Sequence, residues 1–360
     1  MKENDYLVSG INFLKDTLLS VPSLKEIPFD SSLVFAKDNA FDAILSIPQE
    51  KVRLLIQIKS NGQPRFVRDA VNALVLAQMN RPDSYGILIA PYISEEGMKI
   101  CSEFGVGYLD LSGNCRLAFN GIYIEKSGQA NKFVQKRELS SLYSAKSERI
   151  FRVLLTYPYR YWKTVELSRE ANVSLGLITF VKKQLQDREW IEVGKDGFAL
   201  TQPELALQDW KKAYSYKKNR ILSYYTFSSL KDFELDAQKT STQFPGFRYA
   251  LAGFSAANYY LPVVRNQRIM VYLEEENSDV NEMLKIKPVP SGANVSVLIP
   301  YDLGVFWNAR EMNKIQVTSP IQTCLDLSAN KGRGEEAADK LFEGLIQKQW
   351  SAQKIMMKEM

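Results

Sequence analysis

Apolar and polar positions divide the chain into three stretches of different periodicity. Up to about residue 130, helical and strand patterns alternate. An amphipathic helix near Tyr6–Leu19 precedes the Pro-punctuated stretch "VPSLKEIPFD". "FDAILSI" and "VRLLIQIKS" follow, and the short "PQEK" between them predicts a hairpin. "RFVRDAVNALVLAQMN" predicts a helix stopped at "RPDS", and "YGILIAPYI" is continuously apolar, as in a strand buried on both faces. A short helix, "SEEGMKICSEFG", leads to "VGYLDLSGNCRLAF" and the edge-like "GIYIEKSG". This order predicts a mixed sheet covered on both faces.

The second stretch, 138–203, opens with the helix "RIFRVLLTYP", carrying Ile150, Val153 and Leu154 as apolar positions. Next comes "KTVELSREANVSLGLITFVKKQLQDREWIEVGKDGFALT". Thr164 is the expected N-cap of a helix with Leu167 inward, "ANV" makes a turn, and Ser174 caps another helix. On that helix Ile178, Val181 and Leu185 share one stripe at spacings of three and four. "WIEVGKDGFALT" predicts two short strands around a Gly-Lys-Asp-Gly turn. Helix, helix, turn, helix, hairpin is the order of a winged helix-turn-helix.

The third stretch, 204–360, begins within "PELALQDWKKAYSYKKNRILSYYTF", which predicts one long basic-aromatic helix. Strands "RIMVYLEE" and "VSVLIP" follow, and "NKGRGEE" is a turn before a final helix. The expected fold class is therefore α/β (α+β) and multidomain, with boundaries at 1–130, 138–203 and 204–360.

Composition narrows the chemistry. With 360 residues, 45% apolar and 24% charged, the chain reads as globular and larger than one domain. No apolar run reaches the roughly 18–20 residues of a membrane span, and "MKENDYLVSG" is no signal peptide. Three scattered cysteines, Cys101, Cys115 and Cys324, fit a cytoplasmic protein. There is no histidine, which excludes Ser-His-Asp and Cys-His mechanisms and His-containing zinc sites. Carboxylate–lysine chemistry, carboxylate-bound Mg²⁺, or no chemistry remains.

Charge is unevenly spread. From Lys136 to Tyr225 there are 17 Lys/Arg against 10 Asp/Glu, a local +7 in a chain of net +5. That asymmetry suits double-stranded DNA as a partner of the helix-turn-helix. With the apolar stripe inward, Leu175, Thr179, Phe180, Lys182 and Lys183 are expected outward, with Ser174 at the helix start and Lys195 at the wing tip. Glu189 stands where a glycine often ends such a helix.

In the first stretch Gln57 and Lys59 share a strand face, and Asp42 lies on the preceding strand. In a metal-dependent nuclease, an Asp and a Glu at such positions hold Mg²⁺ while the Lys stabilises the attacking water or phosphate charge. Asp42 and Gln57 would be the metal ligands here, with Asp42, Gln57 and Lys59 the catalytic set. An amide at 57 removes one negative charge from a hard-cation site. Asp38, close to Asp42, is a possible replacement. No cofactor is expected unless nuclease chemistry is retained, in which case Mg²⁺ is. "GYLDLSGNCRL", with Asp110, Gly113 and Asn114, reads as a tight turn rather than a ligand set.

Two resemblances bear on function. "SERIFRVLLTYPYRYWKTVELSREANVSLGLITFVKKQLQDREWIEV", "PELALQDW", "YALAGFSAANYYLP" and "VTSPIQTCLDLSANKGRGEEAADKL" resemble AbiEi-type antitoxins of type IV toxin–antitoxin systems, over roughly residues 140–350. The resemblance implies a transcriptional autoregulator that binds operator DNA through Thr179, Lys182 and Lys183, and a nucleotidyltransferase-like toxin as partner. The hairpin, helix and buried strand around "QIK" resemble the PD-(D/E)xK restriction-endonuclease-like core. "GFS" followed by "VYLEEE" has a faint similarity to nucleotidyltransferases, with Glu274 and Glu276 on one strand face. Three functions stay open: a DNA-binding regulator, expected to be a homo-oligomer; a Mg²⁺-dependent nuclease targeted by the winged helix; and a non-catalytic scaffold in phage defence.

Overall fold

The computed structural model describes residues 3–25, 28–35, 40–133, 142–261 and 268–359. They form two compact units, one of residues 1–139 with 184–189 and one of residues 140–183 with 190–360. Each unit contains a seven-stranded sheet.

In the first unit the strand order follows the chain: β1 (Leu33–Phe35), β2 (Ala43–Ile47), β3 (Val52–Ile58), β4 (Ser84–Ala90), β5 (Gly107–Asp110), β6 (Cys115–Phe119) and β7 (Ile122–Lys126). The expected β2–β3 hairpin forms, with Leu45 opposite Leu54. β3, β4 and β5 run parallel, and the remaining pairs are antiparallel. Parallel neighbours need crossovers, and helices Pro64–Met79 (α2) and Glu95–Glu103 (α3) supply them. They cover one face through Val67, Leu74 and Ile100, packed with Leu55 and Leu88. Helix Glu3–Leu19 (α1) covers the other through Leu14 and Leu18, packed with Leu54 and Ile56. Alternation along β3 thus divides its side chains between two cores, and puts Gln57 on the face of Leu55.

After β3 the chain runs against the β4–α3 loop, where Gly62 bridges Ile93. A Cβ on Gly62 would lie 2.1 Å from the Tyr92 carbonyl oxygen, so only glycine permits this approach.

The second unit begins with Ala145–Thr156 (α4), Thr164–Glu170 (α5) and Leu175–Asp187 (α6) up to residue 183, and resumes with the hairpin β8 (Ile191–Gly194) and β9 (Gly197–Leu200). The order is the one the periodicity predicts. The long helix expected from residue 203 is not formed: α7 covers only Pro203–Ala213, and Arg220–Tyr225 is a strand, β10. Tyr214 takes extended backbone angles and turns inward, and "ILSYY" alternates, with Tyr224 buried and Ser223 exposed. β-Branched and aromatic residues at period two favour strand over helix once a sheet is available.

The second sheet does not follow chain order. It runs β13 (Lys287–Pro288), β10, β14 (Val295–Ile299), β12 (Ile269–Leu273), β11 (Tyr249–Leu251), β16 (Ile315–Val317), β15 (Arg310–Met312). Its core joins Phe233, Leu251, Val271 and Val297. Helices Pro320–Ser328 (α8), Arg333–Leu341 (α9) and Gln347–Glu359 (α10) complete the unit. No described helix is long and apolar enough to cross a membrane.

Candidate nucleic-acid interface

The helix-turn-helix is assembled from local signals. Ser144 caps α4 by accepting the Ser147 N–H. Lys163, not Thr164, occupies the N-cap of α5, without a side-chain bond, and Thr164 is its first residue. In the turn, Asn172 takes φ +50°, a left-handed conformation that Asn adopts more readily than most residues. The Ser168 hydroxyl donates to the Val173 carbonyl at 2.6 Å and closes the turn. Ser174 Oγ then accepts the Leu177 N–H at 3.3 Å, as its capping role predicts.

The expected stripe of α6 faces inward: Ile178, Val181 and Leu185 are all buried. Leu175, Thr179 and Lys183 are exposed. Thr179 Oγ1 donates to the Leu175 carbonyl at 3.1 Å, which leaves its lone pairs as acceptors. Two residues expected outward are only half-exposed. Phe180 is partly covered, and the Lys182 ammonium lies 5.3 Å from the centre of the Phe198 ring on the wing. Its long stem packs while its charge sits against an aromatic face. Beyond α6, Glu189 has φ +57°, the conformation a glycine would adopt freely, at a cost of about 1 kcal/mol.

The wing is tied to the segment before α5. Trp162 and Phe198 exchange backbone hydrogen bonds of 2.9 and 3.1 Å, adding a third strand-like pairing. A Cβ on Gly197 (φ +132°) would fall 2.2 Å from the Trp162 carbonyl oxygen, so glycine is required there. Lys195 is exposed at the tip, beside Asp196. Among the described residues, neither Lys183 nor Lys195 forms an ion pair. Lys163 and Arg169 are also exposed, at the start and on the outer side of α5, where they alternate with Glu166 and Glu170. Neither lies on α6 or the wing, where helix periodicity and the turn motif place the expected contacts.

The other side of α4 is built into the C-terminal domain. Arg152, buried, donates to Gln322 Oε1 at 3.0 and 2.7 Å through Nε and Nη2. Gln322 Nε2 donates to the Tyr214 hydroxyl at 2.8 Å and to Asp326 Oδ1 at 2.9 Å. Tyr214 and Tyr272 donate to the same Asp326 oxygen at 2.6 and 3.0 Å. Burial pushes the Asp326 carboxyl up to about 6, against the pull of these donors. Burial beside Asp326 also raises both tyrosines well above their ordinary range, which keeps them protonated as donors. Arg149 makes a forked pair with Asp302 at 2.7 and 2.9 Å, and Tyr301 donates to the buried Glu148.

In the first unit, Asp42 and Gln57 are near neighbours. Asp42 donates its N–H to the Ile56 carbonyl at 2.7 Å and accepts the Ile58 N–H on Oδ2 at 2.6 Å, spanning Gln57. Gln57 is buried, and its Oε1 has no hydrogen-bond partner among the described residues. Lys59 continues the ladder by donating its N–H to the Ile89 carbonyl at 2.9 Å. This offers Mg²⁺ one carboxylate, partly engaged by backbone, and one amide. That is a poor fit for a hard cation. Asp38 lies outside the described residues, among which no group of three or more acids or thiols could hold a metal ion. Asp110 organises its own turn: it is buried and accepts from Gly113 N, Asn114 N, Asn114 Nδ2 and Ile93 N. Glu274 and Glu276 do not act as a pair, since Arg248 holds the first and Arg220 the second.

Residues 199–347 match the model of a family described as transcriptional regulator, AbiEi antitoxin, of type IV toxin–antitoxin systems. The match covers the sheet and helices that follow the wing, less than half of the chain. No curated protein and no solved structure matches the chain.

Proposed function

Starting from a C-terminal domain of the AbiEi antitoxin family, we propose that the protein is a cytoplasmic DNA-binding transcriptional regulator. Residues 142–200 act as its winged helix. α6 enters the major groove with Leu175 and Thr179 toward base edges, and Lys183, Lys195 and Lys163 meet phosphates. One observation carries this reading. The exposed face of α6 stands opposite a fully buried stripe, and its outward lysine has no ion-pair partner among the described residues. Lys182 contributes less as a phosphate contact than as a clasp between α6 and Phe198. The protein works as an antitoxin-like homo-oligomer, and its cognate partner is a nucleotidyltransferase-like toxin.

The test is binding to DNA from upstream of its own gene, measured against salt. The double variant Lys183→Ala with Lys195→Ala should reduce the slope of log affinity against log salt by about 2. Thr179→Ala should weaken specific binding about tenfold and leave the slope unchanged. An unaltered slope in the double variant would remove α6 and the wing as the reading surface.

A second reading, a Mg²⁺-dependent nuclease using Asp42, Gln57 and Lys59, has only the neighbouring Asp42 and Gln57 behind it and stands against the poor fit of one amide and one backbone-engaged carboxylate to a hard cation. Plasmid DNA incubated with Mg²⁺ or Mn²⁺ tests it. Cleavage lost in both Asp42→Ala and Lys59→Ala supports it, and cleavage equal in all three proteins refutes it.

A further inference from the structure

Where α4 ends, the second unit contains a cavity of about 350 Å³ that the DNA-reading surface does not use. Its walls come from the last turn of α4, the start of α8, the strand β15 and the final helix α10. The α10 side chains close the α4 terminus: Trp350 Nε1 donates to the Leu155 carbonyl at 2.7 Å, and Gln353 Nε2 to the Thr156 carbonyl at 3.1 Å. These bonds satisfy carbonyls that a helix end leaves without partners.

Two polar atoms of the same walls are left over. Thr156 Oγ1 and Gln353 Oε1 are buried, and neither has a hydrogen-bond partner among the described residues. Buried polar atoms are nearly always paired, so two in one cavity point to a missing partner. These two oxygens call for a group that carries N–H or O–H donors. Arg310 lies elsewhere on the lining. Its guanidinium sits 5.8 Å from the Tyr260 ring centre, and no carboxylate among the described residues pairs with it. Between the two ends, Ile321, Ile346 and Trp350 supply apolar wall.

Backbone irregularities gather at this place. Residues Phe342–Ile346 widen into a π turn between α9 and α10, a feature often found at functional sites. Tyr159, three residues beyond α4, has φ +66°, an outlier for an aromatic residue, and Lys354 of α10 lies 5.5 Å from its ring centre.

We propose that this cavity binds a small amphoteric molecule. Its donor-bearing end meets Thr156 and Gln353, and its anionic end meets Arg310. The cavity volume lies within the range of small-molecule sites. Free amino acids and nucleoside 5′-monophosphates share the required chemistry. A molecule seated here touches the last turn of α4 and so adjoins the helix-turn-helix.

The experiment titrates the full-length protein, without DNA, with single L-amino acids in one arm and with AMP, GMP, CMP and UMP in the other. Tryptophan emission reports binding, since Trp350 lines the cavity. One arm should give a saturable change with a midpoint below about 1 mM. Arg310→Met and the near-isosteric Thr156→Val should each raise that midpoint at least tenfold, with the melting temperature checked in parallel. Saturation in neither arm overturns the proposal, as does binding of undiminished affinity in folded Arg310→Met and Thr156→Val. Because no DNA is present, either failure is independent of a failed operator-binding assay.

Discussion

The two units bury polar side chains in opposite ways. In the first, such groups serve nearby backbone: the buried Asp110 accepts from its own turn, and the half-buried Asp42 bonds the neighbouring strand of its own hairpin. In the second, they bond across the chain: Arg152 reaches Gln322, Tyr214 reaches Asp326, and Arg149 reaches Asp302. A local bond secures one turn, whereas a connected network makes α4 and the C-terminal domain depend on each other. It follows that α4 is not independent of the sheet and helices that come after the hairpin.

Arg152→Met breaks this contrast most severely. It strips Gln322 of its donor and leaves Glu148 buried without its helical neighbour, so a loss of about 3–5 kcal/mol is expected in denaturant unfolding. A double-mutant cycle with Gln322→Leu should return coupling of about 1–3 kcal/mol. Additivity within error would mean that the network is only a set of separate bonds.

Asp326 yields the next effect. Its folded carboxyl titrates near 6, above the ordinary carboxylate value, so between about pH 4 and 6 the folded state holds a proton that the unfolded state has released. Stability from this group is therefore greatest at low pH and falls as pH rises through that window, by on the order of 3 kcal/mol. In Asp326→Asn that fall should vanish from the pH profile of unfolding free energy. A profile parallel to the wild type would remove Asp326 as its source.

The smallest effect sharpens the local half of the comparison. Asp42→Asn weakens one bond to Ile58 N–H, for about 1 kcal/mol by thermal unfolding. A cost as large as that of Arg152→Met would show that the first unit also contains a buried network.

What could be read in advance follows the same division. The hairpin around "PQEK" and the stripe Ile178, Val181, Leu185 were visible because each depends on neighbours a few residues away. The turn role of Asp110 was visible for the same reason. Ser174 was correctly read as a cap, whereas Thr164 was misplaced by one residue, since a cap depends on where the backbone leaves the helix. The strand Arg220–Tyr225 has no clear local signature because it continues the lysine-rich, helix-favouring run before it, and its sheet partners come from residues 287–299. Phe198 beneath Lys182 and the cavity at the end of α4 left no signal at all.

By itself, then, the sequence determined α1 and the element types of the first unit from β2 onward, though not the edge strand β1, together with the buried stripe of α6 and the exclusion of histidine chemistry. Those properties follow from short-range periodicity and from side-chain inventory. Tertiary structure alone decided the scrambled order of the second sheet, the capture of Lys182, the joining of α4 to Gln322 and Asp302, and the unpartnered atoms of the cavity that Arg310 also lines. Each of these depends on groups brought together from distant positions, and such encounters are set by packing of the whole unit rather than by any local pattern.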